Sequence, residues 1–229
     1  MKPKIVFFDC DGVLISGNAW YRLHRTMGIT DSLDKEWAAE YSSGKLTHAQ
    51  WTQNVVNHYK NNKLTRKIFE DILDAKNFLF NKEAGKLIDS IKAQGIDVAI
   101  ISSGIDYYVK EVAEHFGIEK WRCNAFFDFD EKGNFTNIRF ITDDHLAKNI
   151  EIKDICKKLN INPEETFYIG DSANDIRAFE FTKHGILYLT DFEDPWRKVN
   201  SDLIKSAWKK VNNLEEVIDI IKTNKKEEN

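Results

Sequence analysis

The sequence predicts an α/β fold, in which a parallel sheet is covered by helices on both faces and interrupted by a helical insert. Three observations carry this. Short β-rich runs at residues 4–8, 97–101 and 166–169 each end in small or acidic polar residues. Helical patterns separate these runs. More than 60 residues after the first run contain no convincing buried strand.

Taken in order, residues 4–8 (Lys-Ile-Val-Phe-Phe) form the first expected strand and run into Asp9 and Asp11. Residues 18–78 are rich in helix formers and aromatics, including Trp20, Trp37 and Trp51. Such a length is too great for a plain loop, so a separate helical insert is expected. Helical patterns follow at 82–94, 106–116, 147–159 and 175–182. The second strand is 97–101, followed by Ser102, Ser103 and Gly104. The third is 166–169, followed by Gly170 and Asp171, and 185–189 supplies a fourth. Between 125 and 141, aromatics flank Asp130-Glu131-Lys132-Gly133-Asn134, which reads as a β-hairpin. A last amphipathic helix is expected over 213–222, ahead of a charged, frayed tail at 223–229. Alternating strands and helices imply a parallel sheet with both faces covered.

The 229 residues, 42% of them hydrophobic, suffice for one substantial domain with a smaller insert. A formal net charge of -4 gives no electrostatic footprint for nucleic acid or anionic membrane. No apolar run approaches the roughly 20 residues that span a bilayer. The first ten residues lack a signal-peptide cleavage pattern. Cys10, Cys123 and Cys156 are far apart and odd in number, so neither a disulfide framework nor a thiolate metal site is expected. A reducing, cytoplasmic setting follows as the expectation. Nothing in the pattern specifies an oligomeric state.

In open parallel sheets the active site lies beyond the carboxyl ends of the strands. The polar groups at those ends are Asp9 and Asp11, then Ser102, then Asp171 and Asp175, with Lys148 entering on the helix before the third strand. Four carboxylates at close range repel unless a cation is present. Oxygen-only ligands favour a hard ion that keeps several waters, namely magnesium. Of two neighbouring acids, one can attack phosphorus while the other protonates the leaving oxygen and then activates water. Gly12 lets the backbone turn so that amides face a phosphate. Ser102 offers a hydrogen bond, and Lys148 a point charge.

These residues resemble the motifs of the haloacid dehalogenase superfamily. The segment Phe8-Asp9-Cys10-Asp11-Gly12-Val13 resembles its first motif in the phosphatase form, and Ile101-Ser102-Ser103-Gly104 its second. Lys148 resembles the third, and Ile169-Gly170-Asp171-Ser172-Ala173-Asn174-Asp175-Ile176 the fourth. The order and the spacing from Lys148 to Asp171 are similar to the phosphoserine phosphatase-like branch. The resemblance implies a Rossmann-like core at residues 1–16 and 80–229, with a C1-type helical cap at 17–79. It implies that Asp9 forms an aspartyl-phosphate and binds Mg2+. Asp11 is implied to be acid and base, giving the metal its backbone carbonyl. Asp171 would be a direct metal ligand, and Asp175 would act through metal-bound water or by orienting Lys148. Asn174 would help hold the phosphate, and Ser103 would serve through its backbone amide.

In that branch a cap glutamate and a cap arginine grip the substrate's amino and carboxylate groups. Asn18 and Val55 stand at those positions here. Neither replaces the lost charge, so a small phosphorylated molecule other than phosphoserine is expected. Asn18, so soon after Asp11, is the cap residue expected to touch it. Trp20, Tyr21 and Trp51 are read as packing inside the cap, and His24, His48 and His58 as packing or surface residues. Cys10 is read as a buried thiol, and Asp143-Asp144 as the cap of the helix carrying Lys148. Two other readings use the same core: a phosphomutase, which returns the phosphate to a bound sugar, and a non-hydrolytic regulatory phosphate-binding protein.

Overall fold

The computed structural model describes residues 3–190, 197 and 199–223, and the expected frayed tail lies outside the described residues beyond Thr223. Strand β1 (Ile5–Phe8) is followed by β2 (Ile15–Ser16). Helices α1 (Ala19–Thr26), α2 (Asp31–Ser42), α3 (His48–Asn61) and α4 (Arg66–Leu73) then precede β3 (Leu79–Phe80). The chain continues through α5 (Lys82–Ala93), β4 (Asp97–Ile101), α6 (Asp106–His115), β5 (Lys120–Arg122), β6 (Ala125–Phe129) and β7 (Phe135–Phe140). It closes with α7 (Asp144–Leu159), β8 (Thr166–Gly170), α8 (Ile176–Thr182), β9 (Gly185–Tyr188), α9 (Ser201–Ser206), β10 (Lys209–Val211) and α10 (Glu215–Thr223).

Six strands form one sheet in the order β10-β9-β8-β1-β4-β5, and every pair in it is parallel. The expected strands are present. The edge strands β5 and β10 escape sequence pattern because Lys-Trp-Arg and Lys-Lys-Val carry charge rather than an apolar run, as edge strands do. Side chains alternate across the sheet. Val6, Phe8, Val98, Ile100, Phe167 and Ile169 enter one apolar cluster with α5, α6 and α10. Ile5, Phe7, Ala99, Ile101 and Tyr168 enter the other, with α7, α8 and α9. From β1 the chain builds outward in both directions, so β1 and its neighbours flank the switch point where such sheets place ligands.

Helices α1–α4 lie between β2 and β3, which pair antiparallel through Ile15–Phe80 and Ser16–Leu79. Each helix starts on a side-chain cap: Asn18, Thr30, Thr47 in a capping box with Gln50, and Thr65. The expected hairpin is β6–β7, turned by Asp130, whose carboxylate accepts from the amides of Lys132 and Asn134. Its tip docks onto the helices: the Arg66 amide donates to the Gly133 carbonyl and the Phe135 amide to that of Leu64. Leu23, Tyr59, Phe69, Phe135 and Ile138 carry the sheet's apolar cluster onward into this helical layer. No helix among the described residues is long and apolar enough to cross a membrane.

Candidate active site

The alternation along β1 aims Asp9 at the α7 face, in line with Ile5 and Phe7, and sends Cys10 into the opposite core. Asp9 accepts from the Cys10 amide at Oδ1 (2.7 Å) and from the Lys148 ammonium at Oδ2 (2.7 Å). Burial raises the Cys10 thiol well above its ordinary value, with Asp11 and Asp9 adding to the effect, so this is an inert structural cysteine.

After Asp9 the chain folds sharply: the amides of Leu14 and Ile15 donate to the Cys10 carbonyl, and that of Gly12 to Ile15. Gly12 is required twice over. Its φ is +75°, and a Cβ there would sit 2.1 Å from Asp171 Oδ2. Asp11 reaches outward, its Oδ2 3.5 Å from the amide of Ala19 at the start of α1. The first loop thereby touches both the metal-side acids and the helical layer.

At the end of β4, Ser102 is buried and its Oγ accepts from the Gly104 amide (2.9 Å). The Ser103 hydroxyl is also buried and has no hydrogen-bond partner among the described residues. Ser103, expected to act through its amide, lines the same cavity as Asp9.

Helix α7 delivers Lys148, which is 2% exposed. Its ammonium donates to Asp9 Oδ2, to Asn174 Oδ1 (2.8 Å) and to Asp175 Oδ1 (2.5 Å). Burial opposes the charge on Lys148, but Asp175 and Asp9 outweigh it and its pKa ends above that of an ordinary lysine. At the start of α7 the carbonyl of Asp143 accepts from the amides of Leu146 and Ala147, and its carboxylate takes the Tyr41 hydroxyl (3.3 Å). The Asp144 side chain lies outside the described residues.

After β8, Asp175 is saturated by the chain itself. Oδ1 takes Lys148 and the Tyr168 hydroxyl (2.8 Å), and Oδ2 takes the amides of Asp171 and Ser172 (2.9 and 3.0 Å). It holds the loop and the lysine in place. Asp171 faces Arg197, whose Nε is 3.1 Å from its Oδ2. Tyr168, Ser172 and Arg197 were not singled out from sequence.

Asp9, Asp171 and Asp175 each offer a carboxylate oxygen, and these oxygens lie within 4.8 Å of one another in a buried setting. Burial and the charge of Asp175 push Asp9 up to about 6 despite Lys148. Burial, then Asp9 and Asp175, push Asp171 well above the usual carboxylate range, with Arg197 opposing. A buried cluster of hard oxygen donors that resists its own ionisation fits a divalent cation such as magnesium.

Above the acids opens a cavity of about 790 Å³ that reaches into the helical layer. Asp9, Asp11, Gly12, Ser102, Asn174 and Asn18 all line it. Asn18 Oδ1 accepts from the Tyr21 amide as the α1 cap (3.0 Å). Trp20 and Trp51, read from sequence as packing, pack and also line the cavity, as does His48. Tyr21 instead lies under the Arg25 guanidinium, and His58 bonds to the Met27 carbonyl. His24 is buried against Asp34.

Residues 3–180 match the haloacid dehalogenase-like hydrolases, and the chain belongs to that family. Among curated proteins it is similar to the phosphoserine phosphatase of Methanocaldococcus jannaschii, 27% identical over 179 residues, covering 78% of this chain and 82% of the relative. It is also similar to that of Albidiferax ferrireducens, 25% identical over 186 residues, covering 76% and 73%. The fold matches a substrate-bound phosphoserine phosphatase (TM-score 0.76, 24% identity, 96% of this chain and 99% of that one). It matches a phospho-aspartyl intermediate analogue of phosphoserine phosphatase as well (TM-score 0.74, 23% identity, 96% and 99%).

Proposed function

We propose that the protein is a magnesium-dependent phosphomonoester hydrolase that works through an aspartyl-phosphate on Asp9. The observation that supports this best is the buried Asp9–Lys148–Asp175 cluster beside Asp171, with Asp9 and Asp171 lining a cavity that Asp11 and Ser102 also line.

In this reading Asp9, the backbone carbonyl of Asp11 and Asp171 hold the metal, with Asp175 acting from behind them. The ion, when bound, supplies positive charge to the phosphate and to the crowded carboxylates. Asp9 attacks phosphorus and the ester P–O bond breaks. Asp11 gives its proton to the leaving alkoxide. Asp11 then takes a proton from water, whose oxygen attacks phosphorus, releasing phosphate and restoring Asp9. Ser102, Ser103, Asn174 and the amides after Gly12 hold the phosphate oxygens, and Lys148 adds its positive charge from behind Asp9. Helices α1–α4, residues 17–79, serve as the cap that excludes bulk water and reads the leaving group.

The substrate is a small phosphorylated molecule other than phosphoserine. Val55 is buried on α3 and lines the cavity, as does Asn18, and neither supplies charge for an amino acid's ammonium and carboxylate. The test is phosphate release from a panel of phosphorylated metabolites with and without magnesium, run beside Asp9→Asn. Magnesium-dependent release lost in the variant supports the proposal; release that survives in the variant contradicts it.

A further inference from the structure

The cavity's upper half lies within the helical layer and the hairpin, and its chemistry differs sharply from its floor. Five half-buried rings line it: Trp20 from α1, Tyr41 from α2, His48 and Trp51 from α3, and Phe140 from β7. They brace one another. Trp20 stacks on Phe140 with centroids 6.0 Å apart and planes at 16°. His48 meets Phe140 edge-on at 4.8 Å, and Tyr41 leans on Trp51 at 5.2 Å. A wall of rings held by other rings keeps its shape when a ligand enters, so little ordering is left for the ligand to bring about. A cavity near 790 Å³ lies within the range of about 300–1,000 Å³ typical of small-molecule sites.

Of the charged groups at this level, the one acid is already engaged. Asp34 borders the cavity, yet it is 1% exposed. Its Oδ1 is 3.1 Å from His24 Nδ1 and its Oδ2 is ion-paired to Arg25. Lys35 is exposed, and its positive charge disfavours a cationic ligand. An ammonium placed against these rings would lose its hydration with no free acid beside it. A planar uncharged ring would instead bury apolar surface and stack or meet edges, the arrangements that aromatic groups prefer.

We infer that the site takes phosphomonoesters whose alcohol carries a flat, uncharged aromatic or heteroaromatic ring, which packs against the wall formed by Trp20, Trp51 and Phe140 while the phosphate rests on the acid floor. This rests on the phosphatase reading for the position of the phosphate, and the test separates the two.

The test measures binding of non-hydrolysable phosphonates to the magnesium-loaded protein by calorimetry. The ligands are 3-phenylpropylphosphonate, n-propylphosphonate, 2-amino-4-phosphonobutyrate and a trimethylammonium-bearing alkylphosphonate. The phenyl ligand is expected to bind at least 30-fold tighter than n-propylphosphonate and than the amino-acid analogue. Trp51→Ala is expected to shrink its advantage over n-propylphosphonate at least tenfold, and Trp51→Phe to restore most of it. Equal binding of phenyl and propyl ligands, or preference for the trimethylammonium or amino-acid ligand, overturns the inference. Because the readout is binding, absence of ester hydrolysis would overturn the catalytic proposal and leave the ring preference to be decided by these affinities.

Discussion

The ammonium of Lys148 is the shared donor of Asp9 and Asp175, 2.7 Å from one and 2.5 Å from the other, in a setting where none of the three is more than 4% exposed. Deleting one member of such a buried cluster leaves the others uncompensated, at about 3–5 kcal/mol. Lys148→Ala is therefore expected to lose stability of that order, read by urea denaturation, and to lower turnover at least 100-fold. A variant of wild-type stability would show that the cluster does not depend on this lysine.

Asp171 is the acid whose ionisation the fold resists most visibly, held high by burial and then by Asp9 and Asp175. Without divalent cations, this raised pKa costs the folded state stability as pH rises above the ordinary carboxylate range. Asp171→Asn is expected to raise the melting temperature in chelator by a few degrees, at roughly 2–4 °C per kcal/mol for a chain of this size. The same variant should show no magnesium-induced stabilisation, whereas the native protein gains from the ion by mass action. A lowered melting temperature in chelator would contradict the repulsion described here.

His24 carries a pH signature of its own. Burial lowers its pKa below the ordinary 6.5, while Asp34 pulls the other way and Arg25 and His58 add to the lowering. The folded state thus binds its proton less readily than the unfolded state, so stability falls as pH drops below 6.5. The loss in melting temperature between pH 7 and 5 should be smaller in His24→Asn than in the native protein. Imidazole titration by NMR should show His24 still mostly neutral at pH 6.5. A charged His24 at that pH would contradict the burial argument.

Much of this site was legible in the sequence because its chemistry sits at strand ends. Asp9, Ser102 and Asp171 follow buried runs whose alternation also dictates which way each side chain points. Tyr168 was not legible: it occupies a core position in β8, and only the three-dimensional fold brings its hydroxyl to Asp175. Arg197 lies in a stretch without periodicity, so its contact with Asp171 had no local signal. The aromatic wall was hidden for another reason. Helical spacing shows that Trp20, Tyr41 and Trp51 share apolar faces, but a helix packing on its neighbours and a helix facing a cavity write the same pattern. Phe140 comes from a hairpin 89 to 120 residues further along the chain, which no single-segment pattern can connect to them.

Phosphoserine is expected to be a poor substrate, at least 100-fold lower in kcat/KM than the best ester found in a metabolite panel. Val55 and Asn18 supply no charge to its ammonium and carboxylate, whose desolvation unpaired costs several kcal/mol. Steady-state phosphate release decides it, and ordinary efficiency on phosphoserine would contradict the reading of the helical layer.

In the proposed reaction phosphate passes through Asp9. Borohydride reduces an acyl phosphate to an alcohol, so quenching the enzyme with it during turnover marks the residue that carried the phosphate. Mass spectrometry of the peptide containing Asp9 and Asp11 should then find reduction at Asp9, dependent on both magnesium and substrate. Reduction at Asp11 or elsewhere, or undiminished hydrolysis by Asp9→Asn, would show that phosphate takes another route.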